Sequence, residues 1–231
     1  KKMYNSEYIK KSSEKAQKNI PERDMFGDIL VYIKDPLPPN VDIDRVIKTL
    51  EKTVPKEFLF NIDVVYVGEF ASFYKNGRNF NAMYENRALY ISSTQTNEED
   101  MVDDIVHEIA HALEDQHGQE IYFDNTIKNE FLGKRQRLYQ ILKQENLNPS
   151  YEKFLQTNYD QELDDYLYKE VGYPILASLI VGLFYSPYAI TSLQEYFANG
   201  FENFFLKDPN YLKDISPFLY KKINKLLENI E

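Results

Sequence analysis

The chain has 231 residues, enough for one large domain or two small ones, and 43% of them are hydrophobic, as in globular rather than disordered proteins. Its formal net charge of −10 disfavours nucleic acid and anionic membrane surfaces as partners, because both are negatively charged. Basic or neutral peptides fit that charge better. The absence of cysteine excludes disulfides, thiolate catalysis and cysteine-bound zinc.

The first half of the chain carries strand and helix signals in alternation. Short β-rich runs predict three strands, apolar residues at helical spacing predict a helix between the first two, and Asn76-Gly77 predicts a hairpin turn. The strands are expected over residues 28–35, 61–70 and 87–93, the helix over 41–54 and the hairpin over 74–80. Residues 1–20 are basic and polar and predict a loose arm or a helix.

A second helix is predicted to follow the third strand. Thr94 or Thr96 can cap it, and acidic residues at 98–100 suit its first turn. Ile105, Ile109 and Ala112 give it an apolar face. Strands therefore come first and helices later, a pattern that predicts the α+β class.

Most of the chain after Gly118 is expected to be helical. Residues 119–172 form a polar segment that we predict to be a helical insert. Residues 171–194 carry no charge and are long enough to span a bilayer, but Pro174 and Pro187 interrupt them. We therefore expect a buried core helix here rather than a membrane span or a lipid-facing lid.

The sequence HEIAH at residues 107–111 is the chemically most informative motif. On a helix, His107 and His111 point the same way, so both imidazoles can bind one Zn²⁺ ion. Glu108 lies close enough to reach a water molecule beside that ion and to act as a general base. We predict one catalytic zinc ion at this motif.

Three residues compete for the role of third metal ligand. His117 has the metzincin spacing HExxHxxGxxH, but Glu114 replaces the turning glycine and no methionine follows the motif. Glu195 is the gluzincin solution, and it is the one charged residue between Glu170 and Glu202, so zinc would compensate its burial. Glu202 lies near the same helix face, two turns further along.

Two blocks of this sequence resemble the catalytic domain of anthrax toxin lethal factor and its relatives, which include the Pro-Pro endopeptidases. The first is HEIAHALED at residues 107–115, and the second is EYFANGF at 195–201 with the segment that follows it. The resemblance implies a gluzincin-type site in which Glu195 is the third zinc ligand. It also implies that Tyr188, seven residues earlier, stabilises the oxyanion.

The resemblance further implies a zincin-like fold in a single peptidase domain over residues 21–231. We divide this domain into an α/β lobe with a small mixed sheet and the motif helix (21–118), the insert (119–172) and a mostly helical C-terminal lobe (173–231). The insert departs from the compact relatives, so their substrate rules do not transfer to this chain.

The leading functional prediction is a secreted or target-cell-delivered zinc endopeptidase that acts as a monomer, and an intracellular peptidase stays open. As the resemblance implies, a peptide substrate would add in extended form to strand 87–93 as an edge strand. Asp104 or Asp115 would orient an imidazole by accepting a hydrogen bond from the ring nitrogen that does not bind zinc. The alternatives are a metzincin-like peptidase that uses His117 and a non-catalytic zinc-binding toxin or accessory domain.

Overall fold

A computed structural model describes residues 21–75 and 78–230, and the predicted arm at 1–20 lies outside these ranges. The described part belongs to the α+β class, with a small mixed sheet and a mostly helical remainder, as the sequence predicts. It forms two compact units. Of the described residues, the first unit contains 21–52, 62–75 and 78–105, and the second contains 53–61 and 106–230.

The first unit is built on a five-stranded sheet in the order β1-β2-β3-β7-β6. Strands β2 and β3 run parallel, as do β3 and β7, whereas β1 and β6 pair antiparallel with their neighbours. The strand bounds are β1 Glu22–Met25, β2 Ile29–Ile33, β3 Val64–Val67, β6 Ala82–Glu85 and β7 Ala88–Ile91. Strands β2, β3 and β7 confirm the three predicted strands.

The prediction that strand 87–93 lies at the sheet edge is wrong. Strand β7 pairs with β3 on one side and with β6 on the other, so its backbone groups already have partners. Of the described strands, β6 is the one that takes the edge position beside β7. A peptide can therefore not add to residues 88–91 unless β6 first detaches.

A short hairpin and one helix complete most of the first unit. Strands β4 (Tyr74–Lys75) and β5 (Arg78–Asn79) pair antiparallel, as the Asn-Gly signal predicts, although the two turn residues lie outside the described ranges. Helix α1 spans Ile43–Thr53. It buries its apolar face at positions i, i+3, i+4 and i+7, namely Ile43, Val46, Ile47 and Leu50.

Helix α2, Glu98–Tyr122, carries the HEIAH motif and continues from the first unit into the second. The side chain of Asn97 accepts a hydrogen bond from the backbone N–H of Asp100 at 2.8 Å, as a helix cap does. The cap is therefore Asn97 and not Thr94 or Thr96. The side chains of Ile105, Ile109 and Ala112 are buried, which confirms the predicted apolar face.

The second unit is helical. Its helices are α3 Thr126–Gln144, α4 Tyr151–Phe154, α5 Gln161–Asp165, α6 Tyr173–Leu179, α7 Leu193–Leu206, α8 Pro209–Ile215 and α9 Pro217–Glu228, with a π-helical stretch at Tyr166–Gly172. Their core is rich in phenylalanine, with Phe131, Phe154, Phe197 and Phe201 fully buried. Gly200 allows α7 and α9 to approach closely, because a Cβ atom there would overlap the Leu219 side chain.

The uncharged segment 171–194 is not the single core helix that we predicted. It contains the short helix α6, a turn and a 3₁₀ helix at Tyr188–Ile190. Pro174 lies in the first turn of α6, and Pro187 directly precedes the 3₁₀ helix as its N-cap residue. Leu176 and Phe184 are buried, but Val181 is 77% exposed. Among the described residues, no helix combines the length and apolar composition needed to cross a membrane.

Lys134 on α3 is a buried cation whose charge depends on pH. Its ammonium donates to the carbonyl of Leu183 at 2.7 Å and to Ser216 Oγ at 2.6 Å. Burial lowers the pKa of Lys134 from 10.5 to about 8. Between these values the unfolded chain binds more protons than the folded one, so this lysine makes stability rise with pH.

We expect Lys134→Met to abolish that rise. The free energy of unfolding of the wild type, relative to the variant, should increase by roughly 3 kcal/mol from pH 8 to 10.5. Urea denaturation of both proteins across this pH range measures the difference, in which all other titrating groups cancel. If the free energies of unfolding of the two proteins changed equally with pH, the assignment of this pH dependence to Lys134 would be wrong.

Candidate metal centre

Two histidines of helix α2 share one face. His107 and His111 lie one turn apart, with ring centroids 5.1 Å from each other. Their side chains are 18% and 22% exposed, so the rings are largely buried but still reach solvent. The Nε2 atoms of both rings point to the same carboxylate.

That carboxylate is Glu195, which lies in the first turn of α7. Ser192 caps this helix, because its Oγ accepts a hydrogen bond from the Glu195 backbone N–H at 3.1 Å. Glu195 Oε2 lies 3.0 Å from His107 Nε2, and Oε1 lies 3.6 Å from His111 Nε2. The structure thus brings together two residues of the motif with the acid that the sequence favoured.

The three side chains form a group that could hold a metal ion. One ligand atom from each of His107, His111 and Glu195 lies within 4.8 Å of the others. Two ligands bound at 2.0–2.1 Å to a tetrahedral ion are roughly 3.3 Å apart, and the two His–Glu distances lie on either side of that value. The donor set therefore fits a small divalent cation with little rearrangement.

A second layer of carboxylates holds the far side of each ring. Glu202 Oε2 on α7 lies 3.4 Å from His107 Nδ1, and Glu114 Oε2 on α2 lies 2.8 Å from His111 Nδ1. The hydroxyl of Tyr122 donates to the other oxygen of Glu114. A carboxylate behind a metal-binding imidazole fixes its tautomer and makes Nε2 a better ligand.

The pKa values show how strongly these groups act on one another. Burial opposes a charge on His107, but the hydrogen bonds to Glu195 and Glu202 outweigh it and raise the pKa to about 9. Burial also opposes the charge on Glu195, yet the two histidines lower its pKa to about 2. A metal ion bound at Nε2 takes the place of the proton that the imidazole would otherwise hold.

The cluster carries more acids than bases. Four carboxylates act on the two imidazoles through hydrogen bonds or charge, and they are Glu108, Glu114, Glu195 and Glu202. Burial raises the pKa of Glu114. When both imidazoles are neutral, no positive charge among these six residues offsets the ionised carboxylates. Because unbalanced charge is costly to bury, the cluster attracts protons or a divalent cation.

The predicted catalytic residues also belong to the second unit. Glu108 is only 9% exposed, and its charge helps to raise the pKa of His111. Tyr188 opens the 3₁₀ helix that precedes α7. Burial and then the negative charges of Glu195 and Asp164 raise the pKa of Tyr188, so its phenol stays neutral and able to donate a hydrogen bond.

His117 does not join the group. Helix α2 continues without a turn to Tyr122, so His117 lies about 9 Å further along the axis than His111 and on another face. Its Nδ1 lies 3.4 Å from Glu120 instead. The geometry of α2 therefore gives no support to the metzincin arrangement. Glu114, which occupies the position of the turning glycine in that motif, contacts His111 Nδ1 instead.

The other outer residues differ from those that we predicted. Asp115 accepts a hydrogen bond from Asn61 at 2.9 Å, and Asp104 accepts one from Gln95 at 3.1 Å. The acids behind the imidazoles are Glu114 and Glu202. The sequence presents Glu202 only as a candidate third ligand. Its spacing of seven residues from Glu195 nevertheless indicates that both acids lie near the same helix face.

We expect Glu114→Gln and Glu202→Gln each to weaken metal binding by about 10–100-fold, the usual cost of losing a carboxylate behind a ligating histidine. Competition with a fluorescent zinc chelator measures the affinity. Glu120→Gln is the control, because it changes an acid of the same helix beside His117. Equal affinities for all four proteins would show that the outer acids do not support the site.

Comparison with protein-family models, curated proteins and solved structures finds no match to this chain. The resemblance carried by the two motif blocks therefore stays a prediction from the sequence.

Proposed function

We propose that this chain is a zinc-dependent endopeptidase with a zincin-like fold that hydrolyses peptide bonds of protein substrates. One observation supports this most. The Nε2 atoms of His107 and His111 converge on the Glu195 carboxylate, and a further carboxylate contacts the Nδ1 atom of each ring. Two imidazoles and one carboxylate suit zinc, and three protein ligands leave a coordination position open for chemistry.

The proposed mechanism assigns one role to each remaining residue. His107, His111 and Glu195 would hold the zinc ion, which would supply Lewis-acid activation of a water molecule and of the substrate carbonyl. Glu108 accepts the proton of the attacking water and later gives it to the leaving amine. Tyr188 donates a hydrogen bond to the oxyanion that develops on the carbonyl oxygen.

Metal removal tests this proposal. We expect the zinc-loaded protein to cleave members of a random peptide library and the chelator-treated protein to be at least about 10²-fold slower, because the water loses its activation. One equivalent of zinc should restore cleavage, which mass spectrometry of the products follows. A fully loaded protein that cleaves no peptide would instead indicate the non-catalytic zinc-binding alternative.

A further inference from the structure

Arg135 on α3 is a fully buried cation that the proposed chemistry does not use. Its guanidinium donates to four backbone carbonyl groups. Nε donates to Ile190 O at 2.9 Å and Nη2 to Thr191 O at 3.3 Å. Nη1 donates to Lys153 O at 3.2 Å and also to Gln156 O. The planar, five-donor fork of arginine is suited to holding several carbonyls at once.

Two of those carbonyls lie in the shortest segment between the catalytic groups. Ile190 and Thr191 separate Tyr188 from Ser192, whose side chain caps the helix of Glu195. The backbone N–H of Thr191 in turn donates to the carbonyl of Tyr188 at 3.0 Å. The hydrogen bonds that fix these two carbonyls therefore influence the positions of both Tyr188, the proposed oxyanion donor, and Glu195, the proposed third ligand.

A second contact ties the same segment to the insert. The backbone N–H of Leu193 donates to the carbonyl of Thr157 at 2.8 Å. Thr157 directly follows the stretch whose carbonyls at 153 and 156 bind Arg135. The guanidinium thus joins three chain segments, namely α3, residues 153–157 and residues 188–193.

We propose that Arg135 is a positioning residue, through which the 119–172 insert fixes Tyr188 and Glu195 in the site. The inference deepens the proposed function and rests on it. Without the guanidinium, the buried carbonyl groups of Ile190 and Thr191 lose this donor, and so do two partly buried ones in the insert. The segment 188–193 then gains freedom to open locally. A cation that served only the stability of the fold would instead affect all parts of the second unit alike.

The adjacent residue offers a matched control. Lys134 is also a buried cation of α3 that donates to a backbone carbonyl, but its partners are Leu183 and Ser216. Lys134→Met and Arg135→Met therefore remove the same kind of group from the same helix at different segments. Arg135→Lys keeps the charge without the fork and serves if the methionine variant does not fold.

Hydrogen–deuterium exchange of the intact protein tests the hold directly and does not depend on activity. Backbone N–H groups of residues 190, 191, 193 and 195 are hydrogen-bonded and hence protected in the wild type. We expect both Arg135 variants to raise exchange in peptides covering 188–195 by about 10-fold or more over the rest of the second unit. Lys134→Met should leave these peptides at the wild-type ratio. A uniform rise, or no rise at 188–195, would overturn the proposal.

Steady-state kinetics test whether Arg135 positions Tyr188 and Glu195 for catalysis. Arg135→Lys should lower kcat more than it changes KM, and should weaken zinc binding because Glu195 moves. On a Tyr188→Phe background the same change should lower kcat by a smaller factor, because part of its effect passes through that phenol. Full additivity would contradict a role through Tyr188. A wild type without hydrolysis would refute the proposed function, while exchange would still decide what Arg135 holds.

Discussion

Replacing Glu108 by glutamine is expected to lower kcat/KM for peptide hydrolysis by about 10²–10⁴-fold, the range that a positioned general base contributes. Glutamine keeps the shape of the side chain but cannot accept a proton. Glu108 is not one of the three residues that form the metal-binding group. Zinc content should therefore remain at one ion per chain, which separates loss of the base from loss of the metal.

The measurement is the initial cleavage rate of a peptide selected from the library, together with zinc content by atomic absorption. Glu99→Gln provides the control, since Glu99 is an exposed acid in the first turn of the same helix. It should cleave at the wild-type rate. If the Glu108 variant retained wild-type activity with zinc bound, the assignment of the base would be wrong.

Replacing Glu195 by glutamine is expected to weaken zinc binding on the order of 10²-fold or more, beyond the 10–100-fold cost of losing an outer carboxylate. The change removes the negative charge of a ligand that both imidazoles face. Activity should fall in parallel, because a displaced metal no longer activates water beside Glu108. Titration calorimetry with Zn²⁺ measures the affinity.

Alanine variants of the three histidines provide matched comparisons for that result. His107→Ala and His111→Ala should weaken zinc binding at least as much as the change at Glu195, whereas His117→Ala should leave it unchanged. His117 is 38% exposed at its side chain and faces Glu120. Strong zinc loss in the His117 variant would favour the metzincin arrangement and exclude the site described for the second unit.

Local sequence patterns were sufficient for the centre of the site. The spacing of His107 and His111 fixes their common helix face once α2 forms, and the isolated charge of Glu195 in an uncharged segment predicted that it would need a cation. Both inferences depend on short distances along the chain. The structure confirms that these three residues meet.

The roles of the outer residues could not be predicted in the same way, although the seven-residue spacing from Glu195 placed Glu202 near the same helix face. Glu202 reaches His107 across 95 positions of the chain, and Tyr122 contacts Glu114 only because α2 runs on past Gly118. Arg135 lies in a segment that the sequence shows only as polar, and nothing in the neighbouring sequence indicates that four carbonyl groups surround its side chain. Such contacts depend on tertiary packing.

The strands of the sheet also divide into features that local sequence predicts and features that depend on tertiary packing. Central strands β2 and β3 are rich in Val and Ile, so their composition revealed them. Strand β1 exposes three of its four residues and reads as a polar loop. The position of β7 inside the sheet depends on β6 folding back beside it, which the composition of residues 87–93 does not encode.

A crystal structure of the zinc-loaded protein, with anomalous data collected at the zinc absorption edge, would show whether His107, His111 and Glu195 bind the metal. We expect one strong peak about 2.0–2.2 Å from His107 Nε2, His111 Nε2 and a Glu195 carboxylate oxygen, with Glu202 and Glu114 behind the two rings. A peak coordinated by His117, or one that lies away from Glu195, would show that this assignment of the three metal ligands is wrong.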